Sequence, residues 1–324
     1  MSRSPRTTPR STVPAARPET ATAATVQAPA TVPGGAPLPR TDLVLLAVSI
    51  AGISLSAPLI TATAAPALAI AFWRNVMSVG VLGPYALLRH RAELRGIGRR
   101  ALLLAMAAGA LLAAHFALWM PSLRMTSVAS ATALVTTTPL WTILLMRLLG
   151  TRAPRLVWIG TCVAFAGVLV LTGVDMSLSP RALLGDALAL AAGLAAAGYM
   201  LLGAEVRRTV STTAYTLVCY STTAVVLLGI CLVAGTPMTG WDLGVWGQIA
   251  LLMVTAQLLG HSLSNRVLRT LGPTVTSTAI LLETPGAALI AALWLGQLPP
   301  VAAYPALLVI LAGLALVIRG QGRS

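Results

Sequence analysis

Apolar residues in this chain do not alternate with polar ones. They run on for about twenty positions at a time, and short segments rich in arginine, glycine or proline interrupt them. A helix rises 1.5 Å per residue and needs about 20 mainly apolar residues to cross the hydrocarbon of a bilayer. Ten stretches meet that length, roughly 42–62, 66–88, 101–121, 126–147, 156–174, 184–204, 210–233, 244–265, 272–295 and 301–318. The ten-residue blocks of alternating hydropathy that mark barrel strands are missing. The pattern predicts an all-α polytopic membrane protein with ten transmembrane helices. The tightest link is "TATAAP", between the first two spans.

Residues 1–40 break the pattern. They are rich in Pro, Thr, Ala and Arg and hold no apolar run. Such a segment buries too little surface to offset chain entropy, so a disordered tail on the cytoplasmic side is expected. It lacks the apolar centre of a secretory signal peptide.

Composition agrees with the run lengths. Hydrophobic residues make up 57% and charged residues 9%, against about 25% charged in a soluble domain. The net charge of +14 would suit nucleic acid on a soluble protein. Here every basic residue of the 22 is arginine, and nearly all lie between apolar runs. That is topology information, and no nucleic-acid partner is expected. With the N-terminus inside, Arg124 and Arg181 fall outside and Arg74 falls within a span, which leaves 19 on the inner side. This split predicts a multi-pass protein of the cell membrane with both termini cytoplasmic.

The chain also repeats itself. At an offset of 146 residues, His115 falls on His261, "TALVTTTP" (Thr132–Pro139) on "TAILLETP" (Thr278–Pro285), Gly150 on Gly296 and Pro154 on Pro300. Residues 41–175 and 182–320 are thus two five-helix copies. An odd helix number turns the second copy upside down. The basic "GTRAPR" after the fourth span and the uncharged "GQLPPV" after the ninth fit that inversion. Inverted repeats are typical of secondary transporters, whose solute binds near the midplane between the copies. A duplicated scaffold without transport is the alternative.

Some polar residues within the spans are candidates. Glu283 sits about half-way through the ninth, two residues before Pro285. An acid at that depth costs about 2.5 to 3.5 kcal/mol on insertion scales, so it faces protein or a wet cavity. Helical spacing puts Thr276, Ala279, Glu283 and Gly286 on one small, polar face. Pro285 frees the carbonyl of Leu281, and its repeat mate Pro139 frees that of Val135, so kinks are expected in both spans. Thr137 is the uncharged mate of Glu283. Arg74 must find a carboxylate, carbonyls, water or an anionic solute group. Glu283 is the economical partner, and snorkelling to an interface is the alternative. Trp73 beside it reads as a packing aromatic.

His115 and His261 invite a metal or a catalytic pair. Inversion sends them toward opposite faces, so connecting helices by hydrogen bonds is the expected role. Gln257, Asn265 and Trp119 are candidates to line a path, whereas Tyr199 and Tyr220 read as packing or interface residues. The Gly- and Ala-rich sixth span needs only close helix packing. Cys162, Cys219 and Cys231 lie in apolar runs with neither zinc nor disulfide spacing, so core packing is expected. No metal or other cofactor is implied.

Three stretches resemble a known family. "AFWRNVMS" (71–78) is similar to the second-helix segment, with its Arg, of the EamA-type branch of the drug/metabolite transporter superfamily. "HFALWMPSLRMTSVASATALVTTTPLWTILLMRLLG" (115–150) resembles its third and fourth helices. "LGHSLSNRVLRTLGPTVTSTAILLETPGAALIAALWLG" (259–296) resembles its eighth and ninth. The resemblance covers nearly all of residues 41–318. It implies ten helices in two inverted halves and solute transport, with no indication of substrate. The family often carries an acid just after the glycine that closes the fourth and ninth helices; Thr151 and Gln297 stand there instead.

The expected function is secondary active export of a small metabolite, amino acid or drug-like solute by alternating access, coupled to protons or another gradient, with Glu283 exchanging a proton for the solute. No P-loop is present to use ATP. Neither G-x-S-x-G nor H-E-x-x-H occurs, which disfavours an intramembrane enzyme. A channel or structural membrane protein is the other alternative. The partners expected are a small-molecule substrate and the lipid bilayer, with a homodimer left open.

Overall fold

The computed structural model describes residues 39–126, 128–172, 179–295 and 303–321. The tail before Pro39, the "GQLPPV" loop with Gly296, Gln297 and Pro300, and Arg323 lie outside the described residues. Among the described residues every regular element is helical.

The first half opens with α1 (Arg40–Ser54) and α2 (Ser56–Ala62), which meet at a break at Leu55. Pro58 has no N–H to offer Ser54, four residues back, so the helix yields there. After a link of four residues come α3 (Ala67–Arg89), the short α4 (Arg91–Gly96) and α5 (Arg99–Ser122). The fourth span is divided into α6 (Val128–Val135) and α7 (Thr138–Leu148), with Pro139 in the first turn of α7. Gly150, with φ of 87°, ends it, and α8 (Arg155–Thr172) follows.

The second half contains α9 (Pro180–Val206), α10 (Thr212–Val233) and α11 (Leu243–Leu252). The next stretch, Met253–Ser262, is π-helical, a form that usually marks a functional position. It runs into α12 (Leu263–Ala279), then a 3₁₀ turn (Ile280–Leu282), α13 (Glu283–Leu295) and α14 (Ala303–Gln321). The sequence leads one to expect a loop between the eighth and ninth spans. Instead the backbone stays helical to Leu271 and turns at Gly272 alone (φ 73°, ψ 166°), a conformation open to glycine, just before Pro273. Val267, Leu271, Val275 and Ala279 are buried together with Leu46 of α1, and that burial holds the segment in place.

Seven of these described helices are long and apolar enough to cross a membrane. The last of them, Leu243–Ala287, has 45 residues and bends at Gly272. Arg155–Val170 and Leu308–Gly320 are apolar but shorter.

The copies pack through equivalent elements. Helix α8 lies along its repeat mate α14, and α3 lies against its mate α10. Helix α5 packs on α9, just as α1 packs on the π-helical stretch. Glycine makes the α8–α14 approach possible: a Cβ on Gly160 would lie 2.7 Å from the carbonyl oxygen of Gly313. In α9, Ala189, Ala192, Gly193 and Ala197 are buried against neighbouring helices, as expected from its composition. Cys219 and Cys231 are buried, but Cys162 faces outward from the bundle. Its span packs mainly along α14, which leaves its outer side uncovered by the described residues.

The two arginines that depart from the charge asymmetry both bind carbonyls. Arg124 donates to Thr63 O (3.0 Å) and Ala65 O (2.8 Å) in the α2–α3 link. Arg181, at the start of α9, donates to Arg124 O at 3.1 Å. They tie three helix ends together, each through its Nη2.

Candidate functional site

Three proline-broken helices meet in the middle of the bundle. In each, the proline sits in the first turn of the second piece, where a missing N–H costs nothing, and the break precedes it. Pro58 follows the break at Leu55, Pro139 the turn at Thr136 and Thr137, and Pro285 the 3₁₀ turn 280–282. Sequence reasoning expected the kinks at Pro139 and Pro285 and passed over Pro58. The carbonyl that Pro139 frees is not left bare: Thr138 Oγ1 donates to Val135 O at 2.8 Å. Thr136 and Thr137 do the same for Ala133 O and Leu134 O. The "TTTP" run therefore carries its own replacement donors.

The three breaks surround one cavity of about 40 Å³, more than one water needs. Ile53 and Ser56 line it from the first break, Val135, Thr136 and Thr138 from the second, and Ile280 and Glu283 from the third. His115 and Trp119 of α5, Ala196, Tyr199 and Met200 of α9, and His261 of the π-helical stretch complete the wall. Glu283 is buried, and its carboxyl has no hydrogen-bond partner among the described residues. The backbone around it is held, since Ser54 Oγ donates to Ile50 O and, at 3.3 Å, to Glu283 O. Free backbone at membrane depth survives only where protein or a cavity meets it, and these breaks meet both.

Behind this wall lies a second polar layer. Arg74 Nε donates to Gln257 Oε1 at 2.8 Å, and Gln257 Nε2 donates to Asn75 Oδ1 at 3.1 Å. The guanidinium carbon stands 4.4 Å from the centroid of the Phe116 ring. Tyr199 OH donates to Asn265 Oδ1 at 2.7 Å, and Arg207 Nε donates to Asn265 O at 3.2 Å. Tyr220 OH shares a hydrogen bond with Ser262 Oγ at 3.0 Å.

The candidates thus divide. Glu283, His115, His261 and Trp119 come together on the cavity, while Arg74, Gln257, Asn265 and Thr137 do not line it. Thr137 is occupied elsewhere, accepting from Trp141 Nε1 at 3.0 Å. Four expectations need correction. Arg74 forms no ion pair with Glu283 and does not snorkel, since it is fully enclosed and its Nε is taken by Gln257. The histidines are not on opposite faces: their ring centroids are 6.3 Å apart. Helix α5 and the π-helical stretch that carry them both border the cavity. His115 Nδ1 is hydrogen-bonded to Ala192 O at 3.1 Å, so its connecting role stands beside a cavity-lining one. The face shared by Thr276, Ala279, Glu283 and Gly286 does not line one space. The 3₁₀ turn shifts the phase, so Glu283 meets the cavity while Gly286 abuts Ser54 Oγ of α1. Tyr199 is more than a packing residue, since it lines the cavity and grips Asn265. Ser56 was missed as well; its signal was Pro58, two residues on.

Compared with known families, residues 42–173 and 183–319 each match the EamA-like transporter family. The chain belongs to that family. One solved crystal structure matches this EamA-like chain over 85% of its length and 96% of the other chain, with a TM-score of 0.70. At 17% identity it shows a shared fold. No curated protein is similar enough to match. An EamA-like protein is a membrane transporter in type, and the apolar helices here make it multi-pass. Where such proteins often carry an acid after the glycine closing the fourth helix, Thr151 uses its backbone N–H to close the turn onto Met146 O at 2.9 Å.

Proposed function

We propose that this chain is a secondary active transporter that exports a small solute by alternating access, with Glu283 exchanging a proton for that solute. The observation that carries the reading is the convergence of three broken helices on one cavity that holds a buried carboxyl. Broken helices lend backbone dipoles and free carbonyls to a site, and they are also the natural hinges of a rocking motion. In this reading the chain has ten spans in two inverted halves with both termini cytoplasmic. The arginine asymmetry supports it, as does the packing of α8 on α14 and of α3 on α10. In this count the long Leu243–Ala287 stretch makes two spans divided at the kink at Gly272, and α8 and α14 make two more beside the other six.

The test is pH-driven flux in liposomes containing the wild type or Glu283→Gln. The variant is expected to lose proton-driven accumulation while solute exchange at equal pH persists. Unchanged proton dependence in the variant overturns the role of Glu283.

A further inference from the structure

Away from the central cavity, a groove of about 430 Å³ runs along α1, walled on its other side by Ala279, the 3₁₀ turn, α13 and α14. Ala47, Ala51 and Gly286 are the small residues on its walls, and Leu43 and Leu289, both exposed, stand toward its two ends. Among the described residues that line it, Ser54 alone has a polar side chain, and that hydroxyl already donates to Ile50 O and Glu283 O.

One end of the groove is basic. Helix α1 begins at Arg40, α14 carries Arg319 in its last turn, and Arg269 lies one turn before the bend at Gly272. All three are exposed. Leu46, Leu271 and Ile318, close to them in the chain, pack in one apolar cluster, which brings the three helix ends together. Asp42, the acid on this part of α1, is buried and does not line the groove.

We propose that this groove binds one acyl chain of an anionic phospholipid of the inner leaflet, whose headgroup phosphate is held by Arg40, Arg269 and Arg319. The inference goes beyond the transporter reading and needs only its membrane orientation.

Length supports an acyl chain. From Leu43 to Ser54, α1 rises about 16 Å at its ordinary pitch, and one leaflet contributes about 15 Å of hydrocarbon. The groove therefore runs the depth of a single leaflet, starting from the arginine end. A polar solute would leave its hydrogen-bonding groups unpaired against these walls. Small residues let a chain sink between helices and touch protein on more than one side, which a convex helix face does not offer. Charge selects the headgroup. Forked arginine donors suit phosphate oxygens, and a zwitterionic headgroup brings its own cation, which the arginines repel. The methyl end would reach Ser54, whose hydroxyl ties the first broken helix to Glu283 O of the third, so a seated chain braces that seam.

The test is photolabelling of the full chain in phosphatidylcholine nanodiscs that contain phosphatidylglycerol with a diazirine half-way along one acyl chain, followed by peptide mapping. Adducts are expected on residues 43–54 and 279–290, above the yield on an exposed helix face such as that of Val225 in α10. Unlabelled phosphatidylglycerol should compete about tenfold better than phosphatidylcholine, as for a headgroup beside several arginines. Arg40→Gln with Arg319→Gln should remove that preference while labelling by a phosphatidylcholine probe is unchanged. Ala51→Phe fills the groove and should abolish the adducts, whereas Val44→Phe, exposed on α1 but outside the groove, should keep them. The arginine variant leaves the apolar packing untouched, so it reads the site even where Ala51→Phe does not fold. Even labelling over all lipid-facing helices, or equal competition by the two lipids, overturns the site. A dimer that Ala51→Phe dissociates also overturns it and gives the groove to a second copy. No flux is measured, so loss of the lipid site leaves transport standing, and failure of the Glu283 test leaves the lipid site standing.

Discussion

His115 and His261 are 146 residues apart in the chain, occupy the same position in the two copies, and stand with ring centroids 6.3 Å apart at the edge of the cavity. Their surroundings differ. His115 Nδ1 is hydrogen-bonded to Ala192 O across the α5–α9 contact, whereas His261 has no hydrogen bond among the described residues. His115→Phe should therefore lower stability by about 1 kcal/mol, the net worth of a buried hydrogen bond. His261→Phe should cost clearly less. Thermal unfolding of both variants in detergent checks the order, and equal losses contradict it.

Thr138 restores the hydrogen bond that Pro139 removes. Thr138→Val leaves Val135 O without that donor and is expected to cost about 1 to 3 kcal/mol, as for a buried carbonyl left unpaired. Pro139→Ala in the same background supplies a backbone N–H in its place. Most of the lost stability should then return, and a double variant no more stable than Thr138→Val rules this account out.

The α8–α14 contact depends on glycine. Gly160→Leu forces a side chain into space held by the Gly313 carbonyl and should destabilise by about 1 to 3 kcal/mol, as overpacking does. Gly80, with nothing within 4 Å of an added Cβ, is the matched control. A Gly160→Leu protein as stable as Gly80→Leu would count against the packing described.

Glu93, in α4 outside the spans, accepts the backbone N–H of Ser211 at 2.6 Å at the start of α10. Partial burial would raise its pKa, but the Ser211 hydrogen bonds and nearby His90 outweigh burial and hold it below the usual 4.5. The folded value lies below the unfolded one, so the contact stabilises fully above about pH 4.5 and fades as pH falls through the folded value. Wild type should therefore exceed Glu93→Gln in thermal stability at pH 6 and converge with it near pH 3. A gap that persists at pH 3 is the contrary result.

Much of this was legible in the sequence, and particular residues show why. Run length and the arginine pattern reveal helices in a bilayer, because lipid demands about 20 apolar residues whatever they pack against. Pro139 and Pro285 announce breaks, because a missing N–H acts on the residue four back. Gly272 was harder to read. A single glycine replaced an expected loop, since helical burial of Val267 and Leu271 extends both legs up to it. The partner of Arg74 was not legible at all. Glu283 is the obvious counter-charge, yet Gln257 takes its Nε and Phe116 its face.

The amino-acid sequence alone determined that this chain is helical, lies in the membrane and repeats itself, because these follow from local hydrogen bonding, hydropathy and self-similarity. The tertiary structure decided which polar residues meet. Glu283, Tyr199 and the two histidines share a cavity only because three broken helices and a π-helical turn bring them there. Whether a side chain faces that cavity depends on a turn phase that a few residues of 3₁₀ or π geometry change.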